Sequence, residues 1–335
     1  MIFQSLKPEN ITIAFTAYNI LEYLQLAIYS FLELYPDYKQ SIVVFDDDSN
    51  DGTIEWLASE GIKRISWKTS ESFALSIKKY SKLLNTQDRE YQINQSYRNS
   101  IMIKEVFNQT TTKYLLLNDA DVIFIKPFLE KYEKQVTKYN HVLIAQPETY
   151  NYGWKYYNKY PTERAKNLFF GKYINLYKFN SDTKEEGMER LHFFHSLFDL
   201  EYFKSKNMIF DNIVDKDFIK LIFSHATLET GSSFYHQILE KNIPFYSLDN
   251  CFNRWNPRLK DYRPCTNEEF DKYDVYHFRW VSSFRRFKSE MPEHAYHNTF
   301  LKINKDFKVE KLKNLVLNLQ KKYNLKPIID PIWDK

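Results

Sequence analysis

A mostly parallel, doubly wound α/β sheet with helices on both faces is the fold this sequence predicts. Two observations lead there. Short apolar runs alternate with helical patterns through residues 11–118. Three of those runs also end in distinctive polar groups: Thr16 to Asn19, Asp46 to Asp48, and Asn118 to Asp121. In a parallel sheet such ends share one edge, and ligands bind outside the carboxyl ends of the strands.

Each element has its own signal. Ile11 to Phe15 alternates as a strand does, and Asn19 stands where a helix cap is expected. Ile20, Leu24, Ile28, Phe31 and Tyr35 follow helical spacing up to Pro36. Ile42 to Phe45 is a continuous apolar run, suited to a strand covered on both faces. A short helix through Glu60 should end at Gly61, with a third strand over Ile62 to Ile65. Residues 66–96 are polar and show little period, apart from a helical stretch at Lys78 to Leu84. Tyr97 to Phe107 reads as a helix feeding a strand over 114–118. The order of strands and helices calls for right-handed crossovers.

The second half is less regular. Residues 150–179 are dense in aromatics, including Tyr150, Tyr152, Trp154, Tyr156, Tyr157 and Tyr160. Leu191 to Phe203 mixes apolar residues with His192 and His195, and Thr227 to Gly231 precedes a helix-like Ser232 to Glu240. Phe307 to Tyr323 is a basic amphipathic helix. The chain divides softly into 1–145, 146–300 and a C-terminal helical extension, 301–335.

Composition narrows the function. A net charge of +4, with both signs interspersed, argues against a dedicated nucleic-acid binder. Cys251 and Cys265 lack metal-site spacing and suit a reducing compartment, although a single disulfide is also compatible with them. Met1 to Asn10 lacks a signal-peptide layout, and no apolar run is long enough to span a bilayer. The expectation is a soluble, cytoplasmic protein. The six glycines are too scattered to form a G-x-G-x-x-G turn or a Walker loop. A nucleotide's phosphates would then fall to a metal and to side chains.

Asp119 and Asp121 close the apolar run Tyr114 to Leu117. Folding does not ask for two acids there, and burying charge is costly unless it is paired or metal-bound. An Asp-x-Asp pair can hold a hard divalent cation through oxygen. The plainer reading is a polar turn; the two other polar strand ends weigh against it.

Together Thr16-Ala17-Tyr18-Asn19, Val43 through Asp46-Asp47-Asp48-Ser49-Asn50-Asp51-Gly52-Thr53, Tyr97 to Ser100 and Leu117 to Asp121 resemble a family 2 glycosyltransferase of the GT-A fold. The resemblance covers the first 145 residues well and the rest weakly. Asp48 stands where the family usually has glycine. The resemblance implies a donor half followed by an irregular, aromatic-rich acceptor half. It implies that Tyr18 packs on the donor base and that Asp47 accepts a hydrogen bond from it. Thr16 would lie in the donor site. Arg98 would lie near the donor phosphates, Asp119 would contact the ribose or sugar, and Asp121 would ligate Mn²⁺ or Mg²⁺. Glu229 is the candidate general base, with Asp199 and Asp211 as competitors. His277 is a candidate further metal ligand, against a core histidine between aromatics.

The implied activity is metal-dependent transfer from a nucleotide sugar, with a UDP-sugar preferred, to a glycan, lipid-linked or protein acceptor, with inversion. The setting expected is polysaccharide or other glycan assembly. For each site residue a structural reading competes: packing for Tyr18, a surface cation for Arg98, a helix-start acid for Glu229. The 307–323 helix offers either a peripheral membrane or partner contact, or a solvated face docked on the domain. Two other functions compete. One is a degenerate glycosyltransferase fold serving as a scaffold. The other is a sugar-1-phosphate nucleotidyltransferase, disfavoured because residues 14–24 contain no glycine.

Overall fold

The computed structural model describes residues 5–66, 102–148, 190–206, 238, 241–248, 250–253, 255–256, 261–262, 266–278 and 310–328. Its elements in order are β1 (Ile11–Ala17), α1 (Leu21–Leu34), β2 (Ile42–Asp46), α2 (Thr53–Glu60), β3 (Lys63–Ser66) and a helix α3 over 102–109. There follow β4 (Tyr114–Asp119), β5 (Val122–Phe124), α4 (Leu129–Tyr139), β6 (Leu143–Glu148), β7 (Arg190–Asp199) and α5 (Leu200–Ser205). The last elements are β8 (Phe245–Ser247), β9 (Cys251–Asn253), β10 (Trp255–Asn256), β11 (Asp261–Tyr262), α6 (Asn267–Lys272), β12 (Val275–His277) and α7 (Glu310–Tyr323).

Seven strands form the main sheet in the order β3-β2-β1-β4-β7-β6-β8. All neighbours are parallel except β7, which runs antiparallel to both β4 and β6. The predicted mostly parallel sheet is therefore present, with one reversed strand inside it. A second sheet has the order β5-β12-β9, and β10 and β11 pair as a short ribbon.

Alternation along the strands feeds two cores. Ile11, Ile13, Phe15, Tyr114 and Leu116 pack on one face with Tyr23, Leu24, Ile28 and Phe31 of α1 and Leu129 and Tyr132 of α4. Ala14, Leu115 and Leu117 pack on the other with Ile103, Val106 and Phe107 of α3 and Phe203 of α5. Both faces are thus covered, which is why β2 is buried throughout its length and reads as a continuous apolar run. Each fully buried Leu or Phe side chain contributes about 1.5–3 kcal/mol.

Helix ends follow local chemistry. Gly61 closes α2 at φ 65°, a left-handed conformation that glycine takes without a side-chain clash. The amphipathic α7 buries Leu312, Val316 and Leu319 in the first core. Its Lys311 pairs with Asp271 of α6, and Lys322 pairs with Glu33 of α1 at 2.5 Å. Among the described residues no helix is long and apolar enough to cross a membrane.

Candidate metal and donor site

The chain leaves β1 toward β2 and β3 on one side and returns with β4 on the other. β1 and β4 therefore flank a topological switch point, where doubly wound sheets leave a crevice for ligands. The register aligns the three polar ends: Ala17 lies opposite Asp46, and Thr16 lies opposite Asp119. Half-buried Thr16 donates through Oγ1 to Asp119 Oδ1 at 3.5 Å, across the switch point. Half-buried Tyr18 follows directly on β1. Asp47 is buried, and its N–H donates to Ala17 O at 2.9 Å, which extends the β1–β2 pairing past the strand.

The β1–α1 and β2–α2 loops are clasped together. Asn19, at φ 48°, donates its N–H to Ser49 Oγ at 2.8 Å and accepts from Asn50 N–H through Oδ1 at 2.7 Å. Asn19 is therefore not the cap of α1. The helix begins after Ile20, and the cap comes from across the clasp, where Asp51 Oδ2 accepts from Leu21 N–H at 2.9 Å. The other oxygen of Asp51 accepts from Thr53 N–H at 3.2 Å and Thr53 Oγ1 at 2.6 Å, so one carboxylate secures the first turns of two helices.

Asp48 adopts φ 50°, which explains why a glycine suits this position. Its Oδ1 accepts from Arg64 Nη2 at 2.9 Å and Ser66 Oγ at 2.6 Å. The same guanidinium binds fully buried Asp46, with Arg64 Nη2 2.8 Å from Asp46 Oδ2. Arg64 was not conspicuous in the sequence. The one signal for it was Asp48 itself, a non-glycine whose backbone conformation requires support.

β4 ends in Asp119, and a tight turn brings Asp121 to the same corner. β12 delivers the third group. His277 lies opposite Val122 in the β5–β12 pairing, and Phe278 N–H donates to Asp121 O at 2.8 Å. His277 Nε2 consequently sits 3.1 Å from Asp121 Oδ1 and 3.6 Å from Asp119 Oδ2. One donor atom from each of the three residues lies within 4.8 Å of the others. His277 and Asp121 are buried, and Asp119 is half exposed. Adjacent donors on an ion with bonds of about 2.1 Å stand about 3 Å apart, so the spacing suits one divalent cation. Two carboxylates and an imidazole are also a donor set that transition metals such as Mn²⁺ accept.

Beneath this corner Asn118 is fully buried. Its Nδ2 donates to Ala14 O at 3.2 Å and Leu116 O at 3.3 Å, so its Oδ1 is the acceptor for His195 Nδ1 at 2.8 Å. His195 is surrounded by the rings of Phe124, Phe128 and Tyr132. Burial lowers its pKa to about 3. It is a neutral core histidine, and it fastens the strand that carries Asp119.

The other candidates fare differently. Asp199 lies opposite Tyr114, at the far end of β4 from Asp119, and accepts from Tyr202 N–H at 3.0 Å as the cap of α5. It is remote from the crevice. Arg98, Glu229, Asp211 and the aromatics of 150–179 lie outside the described residues.

Neither protein-family models nor curated proteins match the chain. Several solved structures align with it, three of them as follows. Mouse xyloside xylosyltransferase 1 aligns at TM-score 0.43 and 13% identity, over 80% of this chain and 97% of that one. Galactosyltransferase LgtC, with donor and acceptor sugar analogues, aligns at 0.47 and 12%, over 95% and 98%. Glucosyl-3-phosphoglycerate synthase from Mycobacterium tuberculosis, with Mn²⁺, UDP and phosphoglyceric acid, aligns at 0.34 and 13%, over 58% and 56%. All three superpositions are loose.

Proposed function

We propose that this chain is a metal-dependent glycosyltransferase that moves a sugar from a nucleotide sugar, with UDP preferred, to a hydroxyl acceptor. One observation carries the reading. The donor atoms of Asp119, Asp121 and His277 converge at the switch point of a doubly wound sheet, beside Thr16, Tyr18 and Asp47. Folding gives no reason to collect that set at the one place where such sheets bind ligands.

Asp119, Asp121 and His277 would hold Mn²⁺ or Mg²⁺. The bound cation supplies Lewis-acid stabilisation of a diphosphate leaving group. The residues do the rest. The Tyr18 ring offers a flat face for a base, and the Asp47 carboxylate an acceptor for an imide N–H. The loop clasp holds both before the donor arrives, so little order is lost on binding. Arg98 would balance phosphate charge. Glu229 would take the proton from the acceptor hydroxyl as the new bond to the sugar carbon forms and the bond to the diphosphate breaks. Inversion is proposed on the family resemblance.

Cytoplasmic glycan assembly is the proposed setting, with a glycan, lipid-linked or protein acceptor. Two cations of α7 are already engaged with Asp271 and Glu33, which favours a docked helix over a membrane contact.

The test is a panel of nucleotide sugars with and without Mn²⁺, scored for donor binding and turnover. Metal-dependent activity with at least one donor is expected, and none across the panel would defeat the reading. A scaffold role would instead leave Asp121→Ala fully functional in the cell. Release of pyrophosphate from a nucleoside triphosphate would revive the nucleotidyltransferase alternative.

A further inference from the structure

His277 is the one member of the donor triad that comes from outside the main sheet and its immediate turn. Its strand, β12, belongs to the small sheet. The distance from His277 to Asp119 therefore depends on how the two sheets are fastened. Backbone pairing secures the His277 end of β12, through Val122 and the Phe278 to Asp121 bond.

The other end is secured by a buried polar chain. Asp274, immediately before β12, is 2% exposed. Its carbonyl oxygen accepts from Ile125 N–H at 2.7 Å and Lys126 N–H at 3.2 Å. Its Oδ2 accepts from Lys131 Nζ at 2.6 Å and Asn250 Nδ2 at 3.1 Å. Asn250 Oδ1 accepts from Gln146 Nε2 at 2.6 Å, and Asn250 O accepts from the N–H of Asp274 at 2.8 Å. Gln146 belongs to β6 and Lys131 to α4, so the chain runs from the main sheet through the small sheet to a helix. Gln146 and Asn250 are buried as well.

Stability alone does not call for this arrangement. Buried polar networks are often replaceable by apolar side chains at no loss. Val275, Cys251 and Ile123 already give the small sheet an apolar attachment. Apolar contact is non-directional, whereas hydrogen bonds fix distance and angle. A ligand set has to be held to about 0.5 Å.

We propose that Asp274, held by Asn250, Gln146 and Lys131, is a positioning residue that sets His277 against Asp119 and Asp121. It touches no ion and acts through the placement of β12. The proposal rests on the metal reading of the triad.

The experiment is a double-mutant cycle on the full chain. Binding of Mn²⁺ alone is followed by the electron paramagnetic resonance signal of the free ion, with thermal midpoints measured in parallel. Asp274→Asn should weaken Mn²⁺ binding about 10-fold, at the low end of what loss of outer support costs a metal site. On a His277→Ala background it should add nothing, because its route to the ion has been removed. Gln146→Leu cuts the link to the main sheet while leaving the carboxylate and Lys131 in place. It should act in the same direction, and it carries the test if Asp274→Asn does not fold. Unchanged affinity in the folded variants, or an equal loss on both backgrounds, overturns the proposal while leaving the metal reading intact. A wild-type chain that binds no Mn²⁺ overturns both.

Discussion

Asp48 shows how one residue can record a constraint. At φ 50° a side chain crowds its own backbone, at about 1–2 kcal/mol. Arg64 and Ser66 offset that by bonding its carboxylate, whose side chain is 41% exposed. Asp48→Gly removes the strain and these bonds together, so its unfolding free energy in a urea series should stay within about 1 kcal/mol of wild type. Asp48→Val keeps the strain, adds a β-branch and loses the bonds, and should be destabilised by about 2–3 kcal/mol. Equal stability of the two variants would refute this account. His195 supports a second prediction, with a pH sign. Its described neighbours are three aromatic rings and the Asn118 amide, so the folded chain keeps it neutral, with a pKa near 3 against 6.5 unfolded. The unfolded chain binds the extra proton. The stabilisation is therefore complete above pH 6.5 and is lost as pH falls from there toward 3. His195→Gln keeps a donor for Asn118 and removes the titration. Its denaturation midpoint should fall less steeply than that of wild type between pH 6.5 and 4.5, and parallel curves would reject the assignment.

At the scale of elements, what the sequence disclosed was whatever has a local signal. β1, α1 and α7 were legible through alternation or 3.6-residue spacing, β2 and β4 as apolar runs, and α2 by the glycine that ends it. The reversed direction of β7 was not legible, because strand polarity is a property of pairing rather than of composition. β12 has three residues, too few for any period, yet it carries His277. Capping misled for a related reason. Asn19 has the right chemistry to cap α1, but its left-handed backbone directs it to Asn50, and Asp51 supplies the cap from another loop. Sequence shows which residues are able to cap, and tertiary structure decides which of them does. The docking of α7 tests the relative weight of its contacts. Leu312 is fully buried, so Leu312→Ala should cost about 3 kcal/mol in a chemical denaturation series. Lys322→Ala removes an exposed ion pair with Glu33 and a cation–π contact with the Tyr323 ring, and should barely move the midpoint. The reverse order would mean that α7 is held by charge.

Across the whole molecule, the site joins parts that the sequence keeps far apart. Asp119 and Asp121 were legible because two acids end an apolar run. That they share an edge with Thr16 and with Asp46 to Asp48 was legible from the order of strands and helices. His277 could be suspected only through resemblance, since no local pattern places residue 277 beside residue 121. On the proposed metal reading, that joining makes the whole fold sensitive to the ion. A cation bound by all three residues ties the small sheet to the main sheet, and it binds the folded chain far better than the unfolded one. At a Mn²⁺ concentration 100 times its dissociation constant, the linkage adds about 2.7 kcal/mol. The thermal midpoint should therefore rise by several degrees on adding Mn²⁺ and return on adding a chelator. Asp121→Ala should abolish the shift. His277→Ala should reduce it while leaving the two aspartates to bind weakly, since they share one turn and need no help from the second sheet to meet. A full shift in His277→Ala would mean that the ion is held by the main sheet alone, and that the second sheet plays no part in binding it.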